Sequence, residues 1–89
     1  MKPEIVFIGK KPTMNYVLAI VTAFNTGAGV VVVKARGRSI NKAVDVVEIV
    51  RNRFNKNMSV GPMKIGTDTI KAEDGKNVNV SFIEIALEA

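Results

Sequence analysis

The 89-residue sequence predicts one mixed α/β domain, running strand, helix, strand, helix, strand, strand and closing in a long projecting C-terminal hairpin. Three observations lead there. Two short runs of branched apolar residues are each followed by a stretch of helical periodicity; the period changes to two from Met58 onward; and Asp74-Gly75 stands between two extended stretches. A chain this short makes a single domain over residues 1–89 and buries a modest share of its surface, so association with further copies would help it. Its 47% apolar and 24% charged content excludes a disordered or collagen-like chain.

Ile5-Val6-Phe7-Ile8 is continuously apolar and is halted by Gly9, the pattern of a strand buried on both faces. Pro12 suits a helix start, and Thr13 to Asn25 read as the first helix, with Gly27 as the stop. Steps of about 100° put Val17, Ile20, Val21 and Phe24 on one arc. Tyr16, Ala19 and Ala23 leave the other side nearly as apolar, so this uncharged helix calls for cover beyond its sheet-facing side. Val30 to Val33 form the second two-sided run, and the strand, helix, strand order implies a right-handed parallel crossover.

Ser39, a suitable N-cap, opens a second helix reaching Phe54, with Ile40, Ala43, Val44, Val47, Val50 and Phe54 on its inward stripe and Val46 and Ile49 outside it, where they widen the contact with the sheet or, in the alternative, touch a partner. In the C-terminal hairpin, Met63, Ile65, Phe82, Ile83, Ile85 and Leu87 are expected to reach the core, while Thr67 to Ser81 are mostly polar. The alternation slips between Ile65 and Ile70 and again at Phe82-Ile83, where bulges are expected. Asp74-Gly75 is suited to a type I′ turn. Strands of this length carry the hairpin beyond the compact body as an arm.

Thirteen Lys and Arg against eight Asp and Glu give a net charge of +5, which favours a polyanionic partner. The excess is localised. Residues 10 to 56 hold nine cations against Asp45 and Glu48, a net of +7, and the remainder nets −2. Lys10 and Lys11 stand at the entrance to the first helix, Arg36 and Arg38 at the entrance to the second, and Lys42 one turn inside it. Cations at those places oppose the positive end of the helix dipole, so stability alone would not put them there. Both loops leave the carboxyl ends of neighbouring parallel strands and must emerge on one edge of the sheet. Free N–H groups of two helix starts, close backbone approach at Gly9 and Gly37, and four converging cations suit that edge to phosphate. Lys71 and Lys76 flank the hairpin tip, where Glu73 and Asp74 weaken their pull.

With neither Cys nor His, the chain has no thiol nucleophile, imidazole base, disulfide or Cys-based zinc site, and no cofactor or metal is expected. Asp45 and Glu48 could act as an acid and base pair, but Asn41, Arg51 and Asn52 beside them make a solvated helix face, so no enzyme activity is expected. Gly27-Ala28-Gly29 precedes a strand and fails as a dinucleotide loop. Ile5 to Ile8 are too few for a secretory leader, and Asn15, Thr22, Asn25 and Gly27 break the longest uncharged stretch, so a cytoplasmic protein with no membrane contact is expected.

Several strings point to a known family. Ile8-Gly9-Lys10-Lys11-Pro12, Met14-Asn15-Tyr16-Val17-Leu18, Lys34-Ala35-Arg36-Gly37-Arg38, Lys42-Ala43-Val44-Asp45, Glu48 to Phe54 and Val80 to Ile85 resemble, in order and spacing, the Alba family of archaeal chromatin proteins. The resemblance implies a two-layer α/β sandwich, a homodimer with further dimer–dimer association, and sequence-independent binding and condensation of double-stranded DNA on the chromosome, with RNA as a second ligand. It implies a central nucleic-acid contact by Lys10 and Lys11, supported by Arg36, Arg38, Lys42 and Asn15, and hairpins bearing Lys71 and Lys76 that grip the minor groove. Phe54 would join neighbouring dimers, and acetylation of Lys10 would weaken binding by removing charge. Two departures stand out: Asn55-Lys56-Asn57 follows Phe54 where the family often has Leu-Pro, and Lys76-Asn77-Val78-Asn79 offers fewer cations than the family's arm. The alternative is a dedicated RNA-binding module of a ribonucleoprotein using the same edge. Tyr16 is the one aromatic expected at the surface, so single-strand recognition by base stacking is not expected.

Overall fold

The computed structural model describes residues 3–89. Four strands and two helices follow in the expected order: β1 Glu4–Phe7, α1 Thr13–Asn25, β2 Val30–Arg36, α2 Ser39–Ile49, β3 Ser59–Lys71 and β4 Asn77–Glu88. They form one sheet in the order β1-β2-β4-β3, with β1 parallel to β2 and the other neighbours antiparallel. Both helices pack on one face, α1 over β1 and β2 and α2 over β2, which makes two layers with the core between them.

Both helices turn most of the expected arcs to the sheet, with differences at their borders. In α1 the buried residues are Tyr16, Val17, Ile20 and Ala23, while Val21 and Phe24 are half-covered and Leu18 is exposed. In α2 and the turn after it, Ala43, Val46, Val47 and Val50 are buried, a clean i, i+3, i+4, i+7 set. Val46 is buried, widening the contact with the sheet, whereas Val44, expected on the inward stripe, is 44% exposed. Ser39 is the first helical residue and not the cap; Arg38 holds that position. The helix ends in a π-type turn, Val50–Phe54, closed by the Asn55 N–H on the Val50 carbonyl at 2.8 Å. Gly27, at φ 105°, ends α1: its N–H meets the Phe24 carbonyl and that of Ala28 the Ala23 carbonyl, a Schellman pair.

On the sheet, Val31, Val33, Ala35, Ile85 and Leu87 point under the helices. Fully burying side chains such as Ile20 and Leu87 contributes about 1.5–3 kcal/mol each. β1 is not covered on both faces. Val6 and Ile8 join the core, but Ile5 and Phe7 lie on the opposite face, and Phe7 is 70% exposed. A continuous apolar run fits a one-faced edge strand as well as a central one, and nothing among the described residues covers this second face.

The hairpin differs in detail from its expectation. Its ladder runs unbroken from Met63 opposite Ile85 to Lys71 opposite Asn77, and the bulge falls between Val60 and Met63. There Gly61-Pro62 interrupts an edge strand, where the missing proline N–H breaks no central ladder. Met63 and Ile65 are exposed rather than buried, because β3 extends beyond the helices. The turn is of the type I kind followed by Gly75 at φ 84°, with Gly75 N–H on the Ala72 carbonyl and Ala72 N–H on the Lys76 carbonyl. Among the described residues none other than glycine has positive φ, which excludes type I′ at Asp74. The arm gives the molecule a long axis of 44 Å against 26 and 18 Å.

Candidate nucleic-acid interface

The turns that follow β1 and β2 sit side by side. The strands are parallel neighbours, with Phe7 opposite Lys34, and the Ile8 N–H donates to the Lys34 carbonyl at 2.8 Å as the chain leaves β1. Lys10, Lys11 and Asn15 lie exposed at the first turn, and Arg36 and Arg38 at the second.

Neither helix start has a side-chain cap or an acidic residue in its first turn. Pro12 and Arg38 occupy the cap positions, and neither supplies a side-chain acceptor for the orphan N–H groups, although the Pro12 carbonyl accepts from the Asn15 N–H at 3.0 Å. The positive ends of both helix dipoles therefore point toward the edge that carries the cations. Among the described residues, the ion pairs are Lys34 with Glu84 at 3.9 Å and Arg51 with Glu48 at 3.4 Å. None involves Lys10, Lys11, Arg36 or Arg38, so their charge faces outward without an internal counterion.

Two residues organise this edge in ways that spacing did not signal. The Tyr16 hydroxyl accepts from the N–H groups of Gly9 and Lys11, at 2.9 and 3.0 Å, and the ring is buried. A phenol one turn into the helix thus fixes the loop carrying Lys10, and it uses two amides that the sequence left free for a ligand. Lys42 donates to the carbonyls of Gly9 at 3.1 Å and Lys11 at 2.8 Å. Its ammonium, 5.9 Å from the centre of the Tyr16 ring, is half-buried, and two of its three donors are spent on the neighbouring loop. Lys42 therefore braces the first turn from α2 instead of projecting freely from the edge.

The second turn is tied to the arm. Gly37, at φ 55°, donates its N–H to the Ser81 carbonyl at 2.8 Å, and a Cβ there would approach the Val80 side chain at 3.3 Å. Lys71 and Lys76 lie far along that arm beside Glu73 and Asp74, so the tip carries two charges of each sign. The Asp74 carboxylate accepts from the Lys76 N–H at 3.0 Å, and Thr69 donates to Asn79 across the arm at 3.1 Å. Asp45 and Glu48 form no metal-ligand cluster, for no group of three or more such side chains occurs among the described residues. Among the described residues, no helix is long and apolar enough to cross a membrane.

The Alba family profile matches residues 4–67. DNA/RNA-binding protein Alba 1 of Archaeoglobus fulgidus is 55% identical over 87 residues, covering 98% of this chain and 97% of its own. DNA/RNA-binding protein Alba of Methanocella arvoryzae is 50% identical over 85 residues, covering 96% and 88%. Among solved structures, Alba from Thermoplasma volcanium superposes with a TM-score of 0.92 at 50% identity, over 97% of this chain and all of that one. With its sheet order, paired helix starts and arm matched over nearly its whole length, the chain belongs to the Alba family.

Proposed function

We propose that the chain is a single domain over residues 1–89 that binds double-stranded DNA, and RNA as a second ligand, without regard to sequence, and that as a chromosome-associated protein of the cytoplasm it compacts DNA. The observation that carries this reading is the pair of uncapped, acid-free helix starts whose four cations have no internal counterion. Relatives named DNA/RNA-binding proteins support it. Lys10 and Lys11 make the central phosphate contact. Arg36 and Arg38 fork onto neighbouring phosphates, Asn15 adds a neutral donor, and Lys42 holds the loop in place. The arm reaches along a groove, with Lys71 and Lys76 contributing little net charge. Acetylation of the exposed Lys10 would remove one of the central charges. Binding, not catalysis, is what such an edge does: it holds cations and amide dipoles but no nucleophile or base.

The working unit is a homodimer. Met63 and Ile65, 63% and 79% exposed on the helix side of β3, leave an apolar strip that a second copy would cover. Phe54, 49% exposed beside Val21 and Phe24, supplies a contact between dimers on DNA. If a dimer neutralises about six to eight phosphates, the logarithm of its affinity for duplex DNA falls with log salt at a slope of about −5 to −7. Filter binding across low and moderate salt tests this, and a flat dependence overturns it. Competition between matched duplex DNA and duplex RNA at one salt concentration separates a chromatin role from a dedicated RNA-binding one.

A further inference from the structure

The face of the sheet turned away from the helices is open, and pairing arranges it in rows. Phe7 lies beside Lys34, Lys34 beside Glu84, and Glu84 beside Lys64. One row nearer the cationic edge, Arg36 lies beside Phe82 and Phe82 beside Gly66. Residues paired across strands share a face, so two aromatic rings and three cations stand on one side of a four-stranded sheet. Gly66 makes room for the second ring: the end of the Phe82 ring comes within 2.6 Å of where a Cβ on residue 66 would stand.

Phe7 is the anomaly on this face. A phenyl ring 70% exposed gains nothing for this chain's own core. Lys34 holds its ammonium 5.9 Å from the ring centre, at the outer limit of cation–π attraction, while reaching Glu84 at 3.9 Å. Phe7, Phe82, Lys34, Lys10 and Arg36 line one hollow of about 670 Å³. Its acids are Asp68 and Glu84, so three cations face two carboxylates, one of them already engaged by Lys34. Lys10 and Arg36 belong to the phosphate-binding edge as well, which makes the hollow continuous with that edge.

We infer that this hollow seats an unpaired base of single-stranded nucleic acid, stacked on Phe7, with the adjoining phosphates held by Lys10 and Arg36. The inference rests on the cationic edge proposed above and extends it from duplexes to single strands. A hollow on a sheet face cannot enter a duplex groove as an arm can, but it does admit a base splayed out of a strand. Open four-stranded sheets displaying aromatic residues use that surface in this way, because every base has a π-face. A second copy of the chain is the competing occupant. The cations around the ring favour the polyanion, since a copy would bring its own Lys10, Lys34 and Arg36 against them.

The test uses the full chain with an oligothymidylate of about 16 nucleotides, the upper end of a single-strand site, and a duplex of matched length. Phe7→Ala is expected to weaken binding of the single strand about tenfold and to change duplex affinity by less than about twofold. Phe7→Tyr restores single-strand binding. The chain has no tryptophan, so Phe7→Trp places the one indole of the molecule at the seat, and its fluorescence is quenched by the single strand but not by the duplex. Unchanged single-strand affinity in Phe7→Ala, or an indole that the oligothymidylate does not quench, overturns the inference while leaving duplex binding intact. A change of assembly mass in Phe7→Ala, measured by sedimentation without nucleic acid, assigns the face to a second copy and overturns it too. Failure of the unaltered chain to bind either ligand overturns both this inference and the cationic edge beneath it.

Discussion

The ammonium of Lys42 donates to the carbonyl oxygen of Lys11 at 2.8 Å across 31 residues of sequence, joining α2 to the turn before α1. Together with the bond to Gly9, it spends a lysine on holding other lysines in place. A cation at that point also offsets the carbonyl dipoles of a loop that already carries Lys10 and Lys11.

Lys42→Met keeps the aliphatic stem and removes both bonds. The expected cost is about 1 kcal/mol, seen as a melting point lower by about 4–8 °C. Duplex affinity falls as the loop loosens, yet the log–log salt slope stays where it was, because the ammonium serves carbonyls and not phosphates. A slope shallower by about 0.9 per protomer would instead show that Lys42 neutralises a phosphate directly.

Tyr16→Phe tests the other brace. The ring still fills the core, but the N–H groups of Gly9 and Lys11 lose their acceptor, at an expected cost of about 1–3 kcal/mol. Hydrogen exchange at those two amides should accelerate in the variant. Because Tyr16 and Lys42 hold the same three-residue span, the double variant should lose less than the sum of the single losses; strict additivity would mean that the two braces act independently.

How far the sequence carried the architecture depended on the kind of signal. Element order was legible because apolar runs, helical spacing and period-two alternation each demand a distinct backbone, and the charges at two helix entrances followed from their places relative to Pro12 and Ser39. What covers a surface was not legible. Ile5-Val6-Phe7-Ile8 reads the same whether Phe7 is packed or 70% exposed, since an apolar letter records a side chain and not its neighbours. Tyr16 shows the converse: expected at the surface, it is buried because its hydroxyl finds two backbone donors seven and five residues upstream. The border of the α2 stripe was less legible: Val44 and Val46, about 200° apart around the axis, flank Ala43, Val47 and Val50 on opposite sides, and the structure buries Val46. The role of Lys42 depended on the relative height of two helices, which spacing along one of them does not encode.

Gly37→Ala probes the link between the second turn and the arm. At φ 55° an L side chain is strained, and the new Cβ would also press the Val80 side chain at 3.3 Å. A loss of about 1–2 kcal/mol is expected, measured by urea unfolding. The tie to Ser81 should weaken with it, giving faster exchange of the residue 37 amide. An unaltered midpoint would mean that the turn relaxes into another conformation without cost.

Lys10→Glu with Lys11→Glu separates binding from folding most cleanly, because the two effects run in opposite directions. The first turn of α1 holds no acid and no side-chain cap, so carboxylates just ahead of it meet the positive end of the dipole and should stabilise the helix by about 0.3–1 kcal/mol each at low salt. The far-ultraviolet spectrum should be retained and the melting point should hold or rise. Binding should move the other way: two cations lost per protomer remove about four phosphate contacts from a dimer and make the salt slope shallower by roughly 3.6. The reversed charges then repel the phosphates they once held, so most of the affinity is lost at moderate salt. A protein as stable as the parent that no longer binds duplex DNA would assign the loss to the edge itself. Unaltered affinity would move the interface elsewhere on the molecule.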